Sequence, residues 1–283
     1  LIHAEKESPP ALFFVTPYAT MVDRRGNNKH VTTVIAVTNQ KGGVGKTTSA
    51  VNIAYYLAKK GLKTLLVDFD PQGNATSGMG IDKQELTAAM SEVILETAQL
   101  ADVIIPTAHK NLFVAPTTSY LANTEVELAQ ANRRFSRLKN AIDNTPGYDF
   151  VIIDSPPSLS LLTVNGLIAA RYVLLPVQAE FYALEGLGQL LETMKLIRKS
   201  MNPTLDLIGV LATMVDGRTT LSAQVHAEIA RHFPGKVFKA SIPRNVRLAE
   251  APSHGLPIGA YDRFSKGARA YKAVTKELLE RVG

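Results

Sequence analysis

The sequence predicts an α/β fold, a doubly wound, mostly parallel sheet flanked by helices, and three observations carry that expectation. From residue 31 onward short β-branched runs alternate with longer stretches of helical period, the order that builds a parallel sheet. Several of those runs are continuously apolar, as strands covered on both faces must be. A glycine-rich loop joins the first run to the first helical stretch, at the sheet end where this architecture places ligands.

Residues 1–30 are expected to form a poorly ordered N-terminal extension. The chain opens with Leu1, and the one short apolar cluster, 11–15, follows acids, bases and two prolines, a poor secretory signal. Residues 1–20 are expected to lie outside the functional fold. Beyond them, strands are expected at 33–37, 64–69, 112–115, 150–154, 172–177, 207–214 and 237–242. The helical stretches 47–60, 160–170, 184–199, 221–233 and 267–282 supply the covers. No repeat or Pro-rich linker divides residues 31–283, which are read as one domain within a chain of 283 residues. Apolar residues at 46% and charged residues at 20% are ordinary globular usage. With no cysteine, disulfides, thiolate zinc sites, iron–sulfur clusters and cysteine nucleophiles are excluded.

The strand 33–37 runs into Asn39-Gln40-Lys41-Gly42-Gly43-Val44-Gly45-Lys46-Thr47-Thr48 and then a helix, the strand–loop–helix order of a P-loop. Three glycines let successive backbone N–H groups curl round phosphate oxygens, and the helix start aims its positive dipole end at the same anion. Lys46 neutralises β/γ-phosphate charge and Thr47 offers its hydroxyl to Mg²⁺. The pattern departs from the ordinary one in two places. Gln40 stands where the first glycine should be, and a second lysine, Lys41, follows it. Two further strand ends deliver acids, Asp68 with Asp70, and Asp154 before Ser155-Pro156-Pro157, as magnesium coordination and water positioning require. His226, His232 and His254 show no ligand spacing and are read as surface or packing residues.

Charge is unevenly distributed. The chain carries 31 basic and 25 acidic side chains; 12 and 5 of them lie in residues 217–283, leaving 19 and 20 elsewhere. The net positive charge therefore sits in the last quarter, which suits a phosphate backbone.

The segment 41–48 resembles the deviant phosphate loop of the ParA/MinD group of ATPases. The segments 67–76, 153–157 and Ile242-Pro243-Arg244-Asn245-Val246-Arg247-Leu248-Ala249-Glu250-Ala251-Pro252-Ser253-His254-Gly255 resemble the ParA/Soj partition proteins in particular. The resemblance spans residues 31–282. It implies a cytoplasmic, nucleoid-associated ATPase that segregates chromosome or plasmid DNA. Its ATP-bound form would be a sandwich homodimer that binds double-stranded DNA without sequence preference and is released on hydrolysis stimulated by a ParB/Spo0J-type partner. ATP and Mg²⁺ are the implied cofactors, bound through Gly42, Gly43, Val44, Gly45, Lys46, Thr47 and Thr48. The resemblance implies that Lys41 crosses to the partner's nucleotide, that Asp70 orients the attacking water, that Asp154 holds Mg²⁺ with Thr47, and that Asp68 assists. Arg218 and Arg247 match the family's DNA-contacting positions. Met214 and Pro243, after strand ends, are expected to flank the adenine.

A MinD-like ATPase cycling on membranes is the nearest alternative. The tail 268–282 is amphipathic, but its charged face reads as a mixture of acids and bases without a large aromatic wedge, so it is expected to cover the sheet. No stable membrane association is expected. The nitrogenase iron-protein type shares the deviant loop but needs cysteines, and this chain has none.

Overall fold

The computed structural model describes residues 20–22, 28–180, 187–216 and 219–283. Its strands are β1 (Thr20–Val22), β2 (Asn28–His30), β3 (Thr33–Val37), β4 (Thr64–Asp68), β5 (Ile105–Pro106), β6 (Leu112–Ala115), β7 (Phe150–Asp154), β8 (Tyr172–Gln178) and β9 (Asp206–Thr213). The helices are α1 (Lys46–Lys59), α2 (Asn74–Gly78), α3 (Met90–Ile94), α4 (Leu100–Val103), α5 (Tyr120–Gln130), α6 (Arg137–Asp143) and α7 (Leu161–Ala169). They continue with α8 (Leu187–Ser200), α9 (Thr220–His232), α10 (Val246–Glu250), α11 (Ile258–Tyr261) and α12 (Lys266–Val282), and a 3-10 turn occupies Ala251–His254.

One seven-stranded sheet runs β5-β6-β4-β7-β3-β8-β9, parallel except for the antiparallel edge strand β5. Every residue of β3, β4 and β7 is buried. Side chains alternate across a strand, so burial at every position means that both faces are covered. On one face Ile35, Leu66 and Ile152 pack with Leu57 of α1 and Tyr271 of α12. On the other Val34, Val67 and Ile153 pack with Leu138 of α6, Leu167 of α7 and Leu190 of α8. Register then sets the site. Asp154 lies opposite Asp68 in the β4–β7 ladder and opposite Val37 in the β3–β7 ladder, so both acids and the loop after β3 leave the sheet at one level.

The expected strand at 237–242 is a correction. Val237 and Pro243 make isolated parallel bridges to Val210 and Val215, but no continuous ladder joins them. Between the bridges the N–H groups of Lys239 and Ala240 donate to the Glu277 carboxylate, at 3.0 and 3.1 Å, instead of to a neighbouring strand. Helix α12 covers the sheet as expected, with Glu277 turned inward and Glu280 left on its solvent face.

Within the first 30 residues β1 and β2 form a short antiparallel pair, Thr20 opposite His30. The rest of that stretch, the start of the expected helix 184–199 and Arg218 lie outside the described residues. Helices α2 to α6, α10 and α11 were not signalled by periodicity, being four to eleven residues long. Local caps define some of them: Glu92 accepts the Ala89 N–H at 2.8 Å, and Asp102 accepts the Gln99 N–H at 3.0 Å.

Candidate functional site

The loop after β3 is clamped from two neighbouring strands. Asn39 is buried and donates its Nδ2 to the Pro176 carbonyl of β8 at 2.7 Å, while its Oδ1 accepts the Lys41 N–H at 3.0 Å. Thr213, at the end of β9, donates Oγ1 to the Val44 carbonyl at 2.9 Å. Gly43 and Gly45 have φ of +74° and +86°, a left-handed conformation that side chains resist, and Gly45 opens α1. The loop N–H groups and the start of a fourteen-residue helix therefore face one point.

Lys46 is buried and donates Nζ to the Lys41 carbonyl at 3.1 Å. Burial pulls its pKa down, and the nearby Asp154 and Asp70 oppose that pull. Lys41 points elsewhere. Its half-exposed ammonium lies 3.9 Å from Glu180, whose other oxygen is 3.7 Å from Arg244.

The three acids differ in what they touch. Asp68 Oδ2 accepts both the N–H and the hydroxyl of Thr76, at 2.7 and 2.6 Å, and so fastens α2 to the strand end. Its burial nonetheless pushes its pKa up to about 6. Asp70 is buried and takes the Gln72 N–H on Oδ1 at 3.0 Å. Asp154 is fully buried, and neither of its oxygens has a well-formed hydrogen bond, although the Thr47 hydroxyl is near enough to favour its charged form. Burial and the neighbouring Asp68 hold its pKa well above the carboxylate range, against the pull of Thr47 and Lys46.

Orphaned polar atoms cluster here. Among the described residues seven buried side-chain polar atoms have no partner, and five belong to Gln40, Asp154, Ser155 and Asn245. Native proteins rarely leave such groups unpaired, so the cluster marks a place where a ligand completes the bonding. The donor set fits magnesium. Mg²⁺ takes oxygen ligands, keeps several waters and needs only one or two protein groups beside a phosphate, which the Thr47 hydroxyl and the Asp154 carboxylate supply.

Beside the loop an apolar cavity of about 370 Å³ is lined by Gly45, Thr48, Met214, Pro243, Asn245 and Tyr271, among others. Met214 and Pro243 thus come together beside the loop. Met214 holds φ +53°, an uncommon conformation for a residue with a side chain, of the kind found at ligand sites. Asn245 Oδ1 is one of the orphaned atoms.

Of the basic residues expected at DNA, Arg247 is half-exposed and paired with Glu250 at 2.9 Å and Asp262 at 3.8 Å. Arg218 lies outside the described residues. Sequence reasoning missed Asn39, Thr76, Thr213 and Asn245. Thr213 could have been found, since it lies at the ligand end of an expected strand; Thr76 and Asn245 fall inside the segments 67–76 and 242–255 that carry the resemblance, but no local pattern assigns them a role. His254 stacks on Tyr261 with ring centres 4.8 Å apart, and His232 is a surface residue bonded to the Glu228 carbonyl at 2.9 Å.

A seven-stranded parallel-type sheet with a glycine loop after a central strand, a buried lysine opening the next helix and acids on two adjacent strand ends defines a P-loop ATPase. Residues 32–207 match the AAA domain family. The sporulation initiation inhibitor protein Soj of Bacillus subtilis is 51% identical over 246 residues, which cover 87% of this chain and 97% of that protein. The chromosome partitioning protein ParA of Myxococcus xanthus is 47% identical, covering 88% of each. The chain belongs to the Soj/ParA family of chromosome-partitioning ATPases. A solved structure of cobyrinic acid a,c-diamide synthase from Mycobacterium smegmatis, with bound ATP analogue and magnesium, is 38% identical with a TM-score of 0.78, covering 88% of this chain and 95% of that one. Its name denotes another chemistry, and a shared scaffold does not carry an activity across.

Proposed function

We propose that this protein hydrolyses ATP to switch between a DNA-bound dimer and a released form, and so partitions chromosome or plasmid DNA. The observation that carries the nucleotide part is Asp154, fully buried with both oxygens unpaired beside a buried lysine and a phosphate-type loop. Loop N–H groups and Lys46 bind the phosphates, and Thr47 with Asp154 holds the magnesium, which when bound supplies positive charge against the phosphoryl oxygens. The apolar cavity takes the base between Met214 and Pro243, with Asn245 Oδ1 as acceptor for an exocyclic amine such as that of adenine.

Asp70 positions the water that attacks the γ-phosphorus. That attack breaks the bond to the β–γ bridging oxygen and leaves ADP and inorganic phosphate. Lys46 already serves its own phosphates, which leaves the half-exposed Lys41 free to reach the nucleotide of a second copy, where added positive charge stabilises the transferring phosphoryl group. Nucleotide would thus be sandwiched between two copies, and hydrolysis would release them. A centromere-binding protein of the ParB type would accelerate that step, and the DNA-bound dimer would sit on the nucleoid. Arg247, and Arg218 beside it in the reading, would contact phosphates once freed from surface ion pairs.

Asp70→Ala should keep ATP binding and accumulate as a dimer bound to random-sequence duplex. Light scattering and duplex binding with ATP, ADP or no nucleotide test this together. A variant that stays monomeric in saturating ATP, or that turns over ATP like wild type, overturns the mechanism.

A further inference from the structure

The chain between β4 and α2 holds its two acids in different ways. Asp68 is fastened from inside: Thr76 bonds its carboxylate twice, and the Thr117 N–H donates in turn to Thr76 Oγ1 at 3.0 Å. Asp70 stands beyond the strand end, where the chain turns. Its carbonyl accepts the Gly73 N–H at 2.8 Å and its Oδ1 accepts the Gln72 N–H at 3.0 Å, so the direction of the carboxylate is set by the position of Gln72. Gln72 is itself exposed. An exposed turn closed only by its own bonds opens easily, and a group that must aim a water needs a firmer hold.

Lys83 supplies that hold. Its Nζ donates to the Gln72 carbonyl at 3.0 Å. Two local bonds bring the chain back over the turn, Ile81 N–H to the Thr76 carbonyl at 3.2 Å and Gln84 N–H to Asp82 Oδ1 at 2.9 Å. The Lys83 stem then lies on Gly73. A Cβ on that glycine would stand 2.8 Å from Lys83 Cδ and 3.1 Å from the Thr117 carbonyl oxygen, and Gly73 holds φ +64°, so no side chain fits between the lysine and the turn. Lys83 is half-buried, and among the described residues no carboxylate lies within ion-pair distance of it. Among those residues, too, no other side chain from outside residues 68–77 donates to the turn. An ammonium that pairs with no acid and bonds one backbone carbonyl is committed to holding that carbonyl in place.

We propose that Lys83 is a positioning residue for ATP hydrolysis: it holds Gln72, and through the Gln72 N–H the carboxylate of Asp70, in the orientation that presents the attacking water to the γ-phosphorus. This role rests on the one given to Asp70 above. In the same reading nucleotide is bound by the loop after β3 and by Lys46, so Lys83 should govern the rate and leave affinity alone.

The test is single-turnover hydrolysis by the full chain at saturating magnesium–ATP. Magnesium–ADP affinity by calorimetry, melting temperature and ATP-dependent dimerisation by light scattering are measured beside it. The proteins compared are wild type, Lys83→Met, Lys83→Arg and Asp70→Ala. Met keeps an apolar stem over Gly73 and removes the donor, while Arg restores a cationic donor. Lys83→Met should lower the rate constant about tenfold, with affinity, melting temperature and dimer formation as in wild type, and Lys83→Arg should recover most of the rate. A fall in rate matched by weaker ADP binding or a lower melting temperature makes Lys83 a fold-holding residue and overturns the proposal, and so does loss of the ATP dimer. A wild-type rate in Lys83→Met while Asp70→Ala is slow overturns the role of Lys83 alone. A wild-type rate in Asp70→Ala overturns the reading of Asp70 and the proposal with it.

Discussion

Replacing Asp68 with Asn should make the nucleotide-free protein increasingly more stable than wild type as pH rises. In the fold this carboxyl is pushed up to about 6, from an unfolded value near 3.9, because burial outweighs the bonds from Thr76. A group whose folded pKa is raised contributes stability that is present below about pH 4 and lost as pH climbs through about 6. The gap of about two pKa units, at about 1.4 kcal/mol each, amounts to about 3 kcal/mol. Asn does not titrate, and groups remote from it cancel in the difference, while Asp154, which the Asp68 charge helps to push up, relaxes downward in the variant and widens the gap in the same direction. Its Oδ1 can accept from the Thr76 N–H and hydroxyl as Asp68 Oδ2 does, at 2.7 and 2.6 Å, so the variant should start close to wild type at pH 4. For a domain of this size about 1 kcal/mol moves the melting temperature by about 2–4 °C, so the difference should widen by about 6–12 °C between pH 4 and 8. Scanning calorimetry with chelator and no nucleotide measures it. A difference that stays flat across this range would refute the electrostatic account of the strand ends.

Two further outcomes follow from the same geometry. Binding of magnesium–ADP at pH 6.5 should release protons, because a cation beside Asp154 lowers a carboxyl that burial holds well above the usual range. Calorimetric heats should therefore depend on the ionisation enthalpy of the buffer for wild type and much less for Asp154→Asn; equal heats in all buffers for wild type would contradict the assignment. Thr213→Val keeps the side-chain shape but leaves the buried Val44 carbonyl without its 2.9 Å donor. That should cost about 1–3 kcal/mol and lower the melting temperature by about 2–12 °C, with weaker nucleotide binding, whereas an unaltered melting curve would show that the clamp contributes nothing.

The parts of the molecule that were legible in the sequence are those that obey a strong local rule. Continuous apolar runs gave β3, β4, β6 and β7 nearly residue for residue, because strands buried on both faces have no freedom in composition. The loop was legible because a phosphate cradle needs glycines at fixed places, and Gly43 and Gly45 do adopt positive φ. Elsewhere the deciding contacts are long-range. The strand expected at 237–242 reads well locally, yet Glu277, some forty residues on, captures two of its N–H groups. Asp68 looks like a metal ligand by position, yet Thr76, eight residues on, engages its carboxylate. Arg247 looks like a free cation, yet Glu250 and Asp262 neutralise it here. Composition counts charges, and only the fold decides which of them remain unpaired.

The charge balance at the strand ends bears on selectivity. Asp68, Asp70 and Asp154 are all buried, with a single buried lysine, Lys46, set among them, so negative charge is in excess at the strand ends. A bare phosphate cannot relieve this, since it satisfies the loop and Lys46 but adds negative charge beside Asp68 and Asp70 and holds Asp154 in its protonated form. A magnesium ion alone relieves the acids but leaves the loop N–H groups and Lys46 unmatched. A magnesium-bound di- or triphosphate would match the loop N–H groups, Lys46 and the Asp154 oxygens together. The apolar cavity adjoins through Gly45 and Thr48, so in the proposed reading the base of the same ligand would reach Met214 and Pro243. Binding such a ligand at a hundred times its dissociation constant would add about 2.7 kcal/mol to the stability of the folded chain. In the proposed mechanism Lys41, which does not serve the phosphates of its own copy, would be the group that senses the nucleotide of a second copy.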